Sequence, residues 1–239
     1  MNASVGLLKR LHWLGHASFC LDGPPMIYFD PWRLKGRLPR ADVILISHEH
    51  DDHCSPNDVK RISGPGTVIV ASVSAAQKLR GDVRPLRPGE QTTVGEVTIE
   101  AVPAYNVSKS YHPRQAGHLG FIVTVGGERL YFAGDTDRIP EMADCRCDVA
   151  LLPVGGTYTM DAIAAAQAAA DIGPRVAVPM HWGAGVVGTR ADAERSATCT
   201  TVRRSSWRRS SPLRPTSFLF LPARAPGPPA HTRLLPRQS

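Results

Sequence analysis

The chain has 239 residues, 42% of them apolar, which is enough for one α/β domain with a well-buried core. No apolar run approaches the roughly 20 residues of a membrane span, and the opening MNASVGLLKRLHWLGHASF lacks the charged start, apolar core and cleavage site of a signal peptide, so neither is expected. The net charge of +7 is unevenly placed: residues 1–194 carry 19 Lys and Arg against all 21 acids, whereas residues 195–239 carry nine arginines and no acid, so no nucleic-acid surface is expected on the body.

In chain order, HWLGH, ASFCL and MIYFD read as short strands, and ADVILIS (41–47) as a buried one. A helix is expected over 56–62, a strand at TVIVAS (67–72), a helix over 73–80, and then VRPLRPG. TTVGEVTIEAVPA is expected to form a hairpin turning at Gly95, and HLGFIVTVGGERLYFAGD another turning at Gly126 and Gly127. DVALLPV (148–154) is a further buried strand, MDAIAAAQAAADIG a helix closed by Gly173, and RVAVPMHW the last strand. Two halves, each mixing strands and helices with no linker between them, suggest one domain of two sheets packed face to face with helices outside.

Five cysteines, irregularly spaced and without a C-x-x-C pair, suggest a reduced, cytoplasmic protein. Residues 195–239 are rich in Arg, Ser and Pro, with no periodicity beyond SFLFLP. They read as a disordered basic tail or, the preferred reading, as text translated out of frame, which would leave the C-terminal part of the 1–194 domain incomplete.

The chemistry concentrates in LISHEHDDHCSPNDV. His48 and His50 alternate along an extended segment and so share a side, and Asp52 and His53 follow just past the strand end. Imidazoles beside a carboxylate suit zinc, iron or manganese. Asp135 in LYFAGDTD and His181 in VAVPMHWG also follow apolar strands.

With its H-x-H-x-D-H motif and these downstream residues, the chain resembles the metallo-β-lactamase superfamily of hydrolases over most of residues 7–194. The resemblance implies a four-layer αββα sandwich. It also implies two divalent metal ions, zinc first and manganese or iron as alternatives, held by His48, His50, Asp52, His53, Asp135 and His181, with Asp135 bridging. The stretches WLGHASF, FDPW, AYN…YHP, FAGDTD…PEM and LLPVGGTYTMDA narrow the resemblance to the branch of L-ascorbate-6-phosphate lactonase-like hydrolases and N-acyl phosphatidylethanolamine phospholipase D. His16 then resembles a histidine kept near the metals to contact substrate, and Tyr158, Thr159 and Met160 would line the pocket mouth.

One position departs from the pattern: Asn106 stands where relatives place a further histidine. An amide oxygen is a poor zinc ligand, so His112 is the expected replacement, with His118 a weaker candidate. The expected reaction is attack by a metal-bound hydroxide on a small ester, lactone or phosphoester, with metals roughly 3.5–4 Å apart, Asp52 and Asp135 fixing the nucleophile and Asp51 orienting a ligand histidine. A small-molecule substrate is the expected partner. A phosphodiesterase or nuclease of the same superfamily, and a non-catalytic or damaged protein of this fold, stand as alternatives.

Overall fold

The computed structural model describes residues 5–199. Strands β1 (Leu11–Gly15), β2 (Ser18–Leu21), β3 (Ile27–Phe29), β4 (Val43–Ile46), β5 (Val68–Ser72) and β6 (Asp82–Leu86) form one six-stranded sheet in chain order. The second six-stranded sheet is β7 (Gln91–Val94), β8 (Val97–Pro103), β9 (Leu119–Val125), β10 (Glu128–Phe132), β11 (Val149–Pro153) and β12 (Val176–Met180). Each sheet begins with antiparallel neighbours and ends with parallel ones. Tight turns suffice for the former, including the Gly126–Gly127 turn, where both residues have positive φ. The latter need crossovers, supplied in part by helices α2 (Pro56–Ile62), α3 (Val73–Ala76) and α4 (Ala162–Ile172).

The residue alternation explains the layering. Along β4 and β5, Val43, Leu45, Val68 and Val70 enter the core between the sheets, while Ile44, Ile46, Ile69 and Ala71 pack outward with Val59 and Ile62 of α2 and Ala75 of α3. A strand apolar on both faces must be covered on both. On the far side α4, with Ala165, Ala168, Ala169 and Ile172 buried, covers the second sheet. Asp161 caps its start by accepting from Ala164 N at 2.8 Å. Helix α5 (Arg190–Cys199) packs on α4 and β12. The result is the expected four-layer αββα sandwich.

Three details differ from the sequence reading. A short helix α1 (Gly6–Arg10) precedes β1, its first amides donating to the Glu128 carboxylate at 2.8 and 2.9 Å. The helix expected over 73–80 stops at Ala76, because Lys78 N and Leu79 N turn to i−3 carbonyls ahead of Gly81. Helix α5 runs through residue 195, burying Ala193 and Ser196. The tail reading therefore falls almost wholly on residues 200–239, outside the described residues. Among the described residues no helix is long and apolar enough to cross a membrane, and Cys20, Cys54, Cys145 and Cys147 are free.

Candidate metal centre

The site lies where the C-terminal ends of β3, β4, β10 and β12 meet the β1–β2 turn. Leu119 N donates to Ser47 O at 3.0 Å, joining the two sheets there. Gly134 makes this approach possible: at φ +64°, a Cβ on it would stand 2.5 Å from Leu119 O. Asp135 follows directly, 3% exposed. Backbone strain gathers here as well, since His16, Asp30 and His181 are non-glycine residues with φ of 53°, 40° and 60°.

Two groups of donors converge. In the first, His48 Nε2 and His112 Nε2 lie 3.1 and 3.2 Å from His50 Nδ1, and His112 Nε2 is 3.4 Å from Asp135 Oδ2. In the second, His53 Nε2 lies 3.2 Å from Asp135 Oδ1 and 3.7 Å from Asp52 Oδ2, and His181 Nε2 lies 3.0 Å from Asp135 Oδ2. Asp135 thus touches both groups.

The surrounding hydrogen bonds assign the ring protons. His53 donates from Nδ1 to Asp30 Oδ2 at 2.7 Å, which leaves its Nε2 a bare lone pair. Ser47 Oγ donates to the same Asp30 oxygen at 2.5 Å and accepts from His48 Nδ1 at 2.9 Å, which bares His48 Nε2. The second Asp30 oxygen accepts from Ser47 N at 2.8 Å. One fully buried carboxylate therefore sets the tautomer of a histidine in each group. In the same way His112 Nδ1 faces Asn106 Oδ1 at 3.2 Å and Tyr158 O at 3.3 Å, turning its Nε2 inward.

This arrangement lacks positive charge between the donors. His50 Nδ1 can carry a proton to only one of its two imidazole neighbours, leaving lone pairs opposed. His53 Nε2, His181 Nε2 and Asp135 Oδ1 are buried with no hydrogen bond, although close to one another. Buried polar atoms are rarely left so, and divalent cations in the two groups would satisfy them. The donor set fits such ions.

Electrostatics point the same way. Burial holds His48 well below the usual imidazole range and His112 down at about 4, so both are neutral and ready to ligate. Burial would raise Asp52, but the His16 hydrogen bond and the charge of His53 outweigh it and pull the carboxyl to about 2. At Asp135 burial is likewise overcome, by His181 and His53, leaving it well below the carboxylate range. Burial would lower His53, yet Asp135 and Asp30 lift it well above the imidazole range: the acids around Nε2 call for a positive charge there, which a proton supplies when no cation does and which a divalent cation would supply in its place.

Comparison with known proteins gives the family. The profile described as a beta-lactamase superfamily domain matches residues 10–181. A UPF0173 metal-dependent hydrolase of Thermoplasma acidophilum is 34% identical over 202 residues, covering 78% of this chain and 88% of its own. The chain belongs to the UPF0173 metal-dependent hydrolases of the metallo-β-lactamase superfamily. A second family member, from Methanoculleus marisnigri, is 37% identical over 183 residues, covering 72% of this chain and 80% of its own. The crystal structure of a protein from Parabacteroides distasonis, assigned as a metal-dependent hydrolase, superposes with a TM-score of 0.69 at 35% identity, covering 75% of this chain and 90% of that one.

Several expected residues of this UPF0173 hydrolase take other places than the sequence suggested. His16 is fully buried among Asp52, His53 and His181, and its Nε2, 3.0 Å from Asp52 Oδ2, holds that carboxylate. Asp51 is exposed and pairs with Lys78 at 3.5 Å, so it orients no histidine. Asp30 does that work, and the sequence reading missed its role although FDPW shows an acid directly after a strand. Thr159 and Met160 are buried, Met160 within the core, and so do not line an open mouth. Tyr158 alone of the three stays partly exposed, its ring 4.6 Å from that of Tyr111. Asn106 is a bracket: its Oδ1 accepts from His112 N at 3.0 Å and its Nδ2 donates to Tyr158 O at 2.9 Å. His118 stacks on His48 at 4.8 Å, with Nε2 3.3 Å from Glu49 Oε2.

Proposed function

We propose that this metal-dependent hydrolase cleaves a small ester, lactone or phosphoester with two divalent ions, zinc first and manganese or iron as alternatives. His48, His50, His112 and Asp135 would hold one ion, and Asp52, His53, His181 and Asp135 the other. When bound, such a pair supplies an acidified water and a Lewis acid for the oxygen of the scissile group. Asp135 keeps the two donor groups in register, since its oxygens reach His53, His181 and His112. His16, kept neutral by burial, donates to ionised Asp52 and fixes the carboxylate's direction. Asp30 and Ser47 keep His53 and His48 in the tautomers that expose Nε2.

The single observation that carries the reading is the convergence of His48 Nε2 and His112 Nε2 on His50 Nδ1 within 3.2 Å, with the His48 and His112 protons held on Nδ1 by their outer partners. Four free thiols among the described residues support a reducing compartment such as the cytoplasm, and the sequence motifs' resemblance to the L-ascorbate-6-phosphate lactonase-like branch supports a small, polar substrate. Metal content by mass spectrometry, followed by a screen of lactones, esters and phosphoesters with and without chelator, tests it. About two equivalents of metal and chelator-sensitive turnover are expected; metal-free protein after reconstitution would refute it.

A further inference from the structure

The cations around the site are mostly paired. Lys78 meets Asp51, Lys109 meets Asp137, and Arg114 meets Glu141. The segment between β3 and β4 is the exception. It carries Arg33, Lys35, Arg37 and Arg40, and no acid between Asp30 and Asp42. Asp30 is turned inward onto His53, and Asp42 accepts from Met26 N at 2.7 Å. Among the described residues, no carboxylate pairs with any of these four cations. A chain whose first 194 residues are slightly acidic thus concentrates uncompensated positive charge on the loop leaving Asp30.

Within that loop Arg33 is held in a particular pose. Its backbone is left-handed, with φ 49°, which costs a residue bearing a side chain. Its guanidinium lies 4.1 Å over the centre of the Trp32 ring and donates to Ala184 O at 3.2 Å. Ala184 follows His181 on the opposite sheet's side, so Arg33 spans the rim between the two halves. Trp32 is partly exposed, and its ring centre is 5.4 Å from that of His16, which holds Asp52. Trp32 N in turn is fixed by Ser18 Oγ at 3.0 Å. A stacked guanidinium with donors to spare is a ready partner for a carboxylate or phosphate.

We propose that Trp32 and Arg33 form a subsite for an anionic group on the substrate, separate from the bond that is cut, so that the hydrolase prefers small esters or phosphoesters carrying a further negative charge. The inference rests on the hydrolase reading above. Trp32 supplies the surface along which the substrate lies, Arg33 binds the terminal anion, and Lys35 and Arg37 add attraction over a longer range.

The test compares the p-nitrophenyl monoester of adipate with p-nitrophenyl hexanoate, which share leaving group and chain length and differ by one carboxylate. In metal-loaded wild type, kcat/KM should favour the adipate ester, through KM, and the preference should weaken with salt. Arg33→Met should lower the ratio by about tenfold, the scale of one charge-assisted contact, and Arg33→Lys should recover part of it. A ratio that is unaltered in Arg33→Met overturns the proposal. Calorimetric titration of adipate and hexanoate into the same proteins runs beside the kinetics. If neither ester is cleaved, the ester reading fails, and the subsite is still decided: adipate must bind more tightly than hexanoate in wild type, and lose that advantage in Arg33→Met. Equal binding of the two acids in wild type also overturns it.

Discussion

Asp30→Asn isolates the group on which both proposed donor clusters depend. The amide is nearly isosteric, and the structure dictates its orientation. Ser47 N donates to Oδ1, so the new amide oxygen must take that place and the NH2 must take the other. That NH2 then points at His53 Nδ1, 2.7 Å away, and at Ser47 Oγ, 2.5 Å away, where the wild-type carboxylate accepted. His53 must shift its proton to Nε2, the atom that would ligate. Changes to partners of this kind cost about 10–100-fold in metal affinity, or about 1.4–2.7 kcal/mol. His48 is reached only through Ser47 Oγ, so its ion should be weakened less. Titration against a chromophoric chelator, with circular dichroism to show that the fold persists, should find one metal equivalent released at lower chelator concentration than the other. If both equivalents bind as in wild type, the tautomer argument is wrong.

Removing His48 and His50 together by alanine should empty one site and leave about one metal equivalent by mass spectrometry; unchanged content would refute the ligand grouping. Asn106→Ala should destabilise the fold by about 1–3 kcal/mol in urea titration, since it strips partners from His112 N and Tyr158 O, while His112→Ala should lose metal affinity more than it does; the reverse order would make Asn106 the ligand. The metal-free protein should lose stability as pH falls from about 6.5 to about 4, because His112 titrates at about 4 folded and near 6.5 unfolded, so the unfolded chain binds more protons across that window; His48, also depressed by burial, adds in the same sense. Equal urea midpoints at pH 7 and pH 5 would contradict this. Truncation after Cys199 should leave metal stoichiometry unchanged, since every donor proposed here precedes residue 182.

The strands of the sandwich were legible because burial on both faces writes unbroken apolar runs such as VILI and VALLP, and an apolar run needs no knowledge of its partner. The clustering of His48, His50, Asp52 and His53 was legible because one strand end presents them together, a local geometry fixed by chain spacing alone. The roles of His16, Asp30 and Asn106 were not. Each depends on what stands opposite across a sequence separation that spacing does not encode: Asp52 for His16, His53 and Ser47 for Asp30, Tyr158 for Asn106. The same holds for Asp51 against Asp30. Both are acids beside histidines in the sequence or in space, and burial decides between them: the exposed one meets a lysine, and the buried one must be matched by donors wherever the fold brings them.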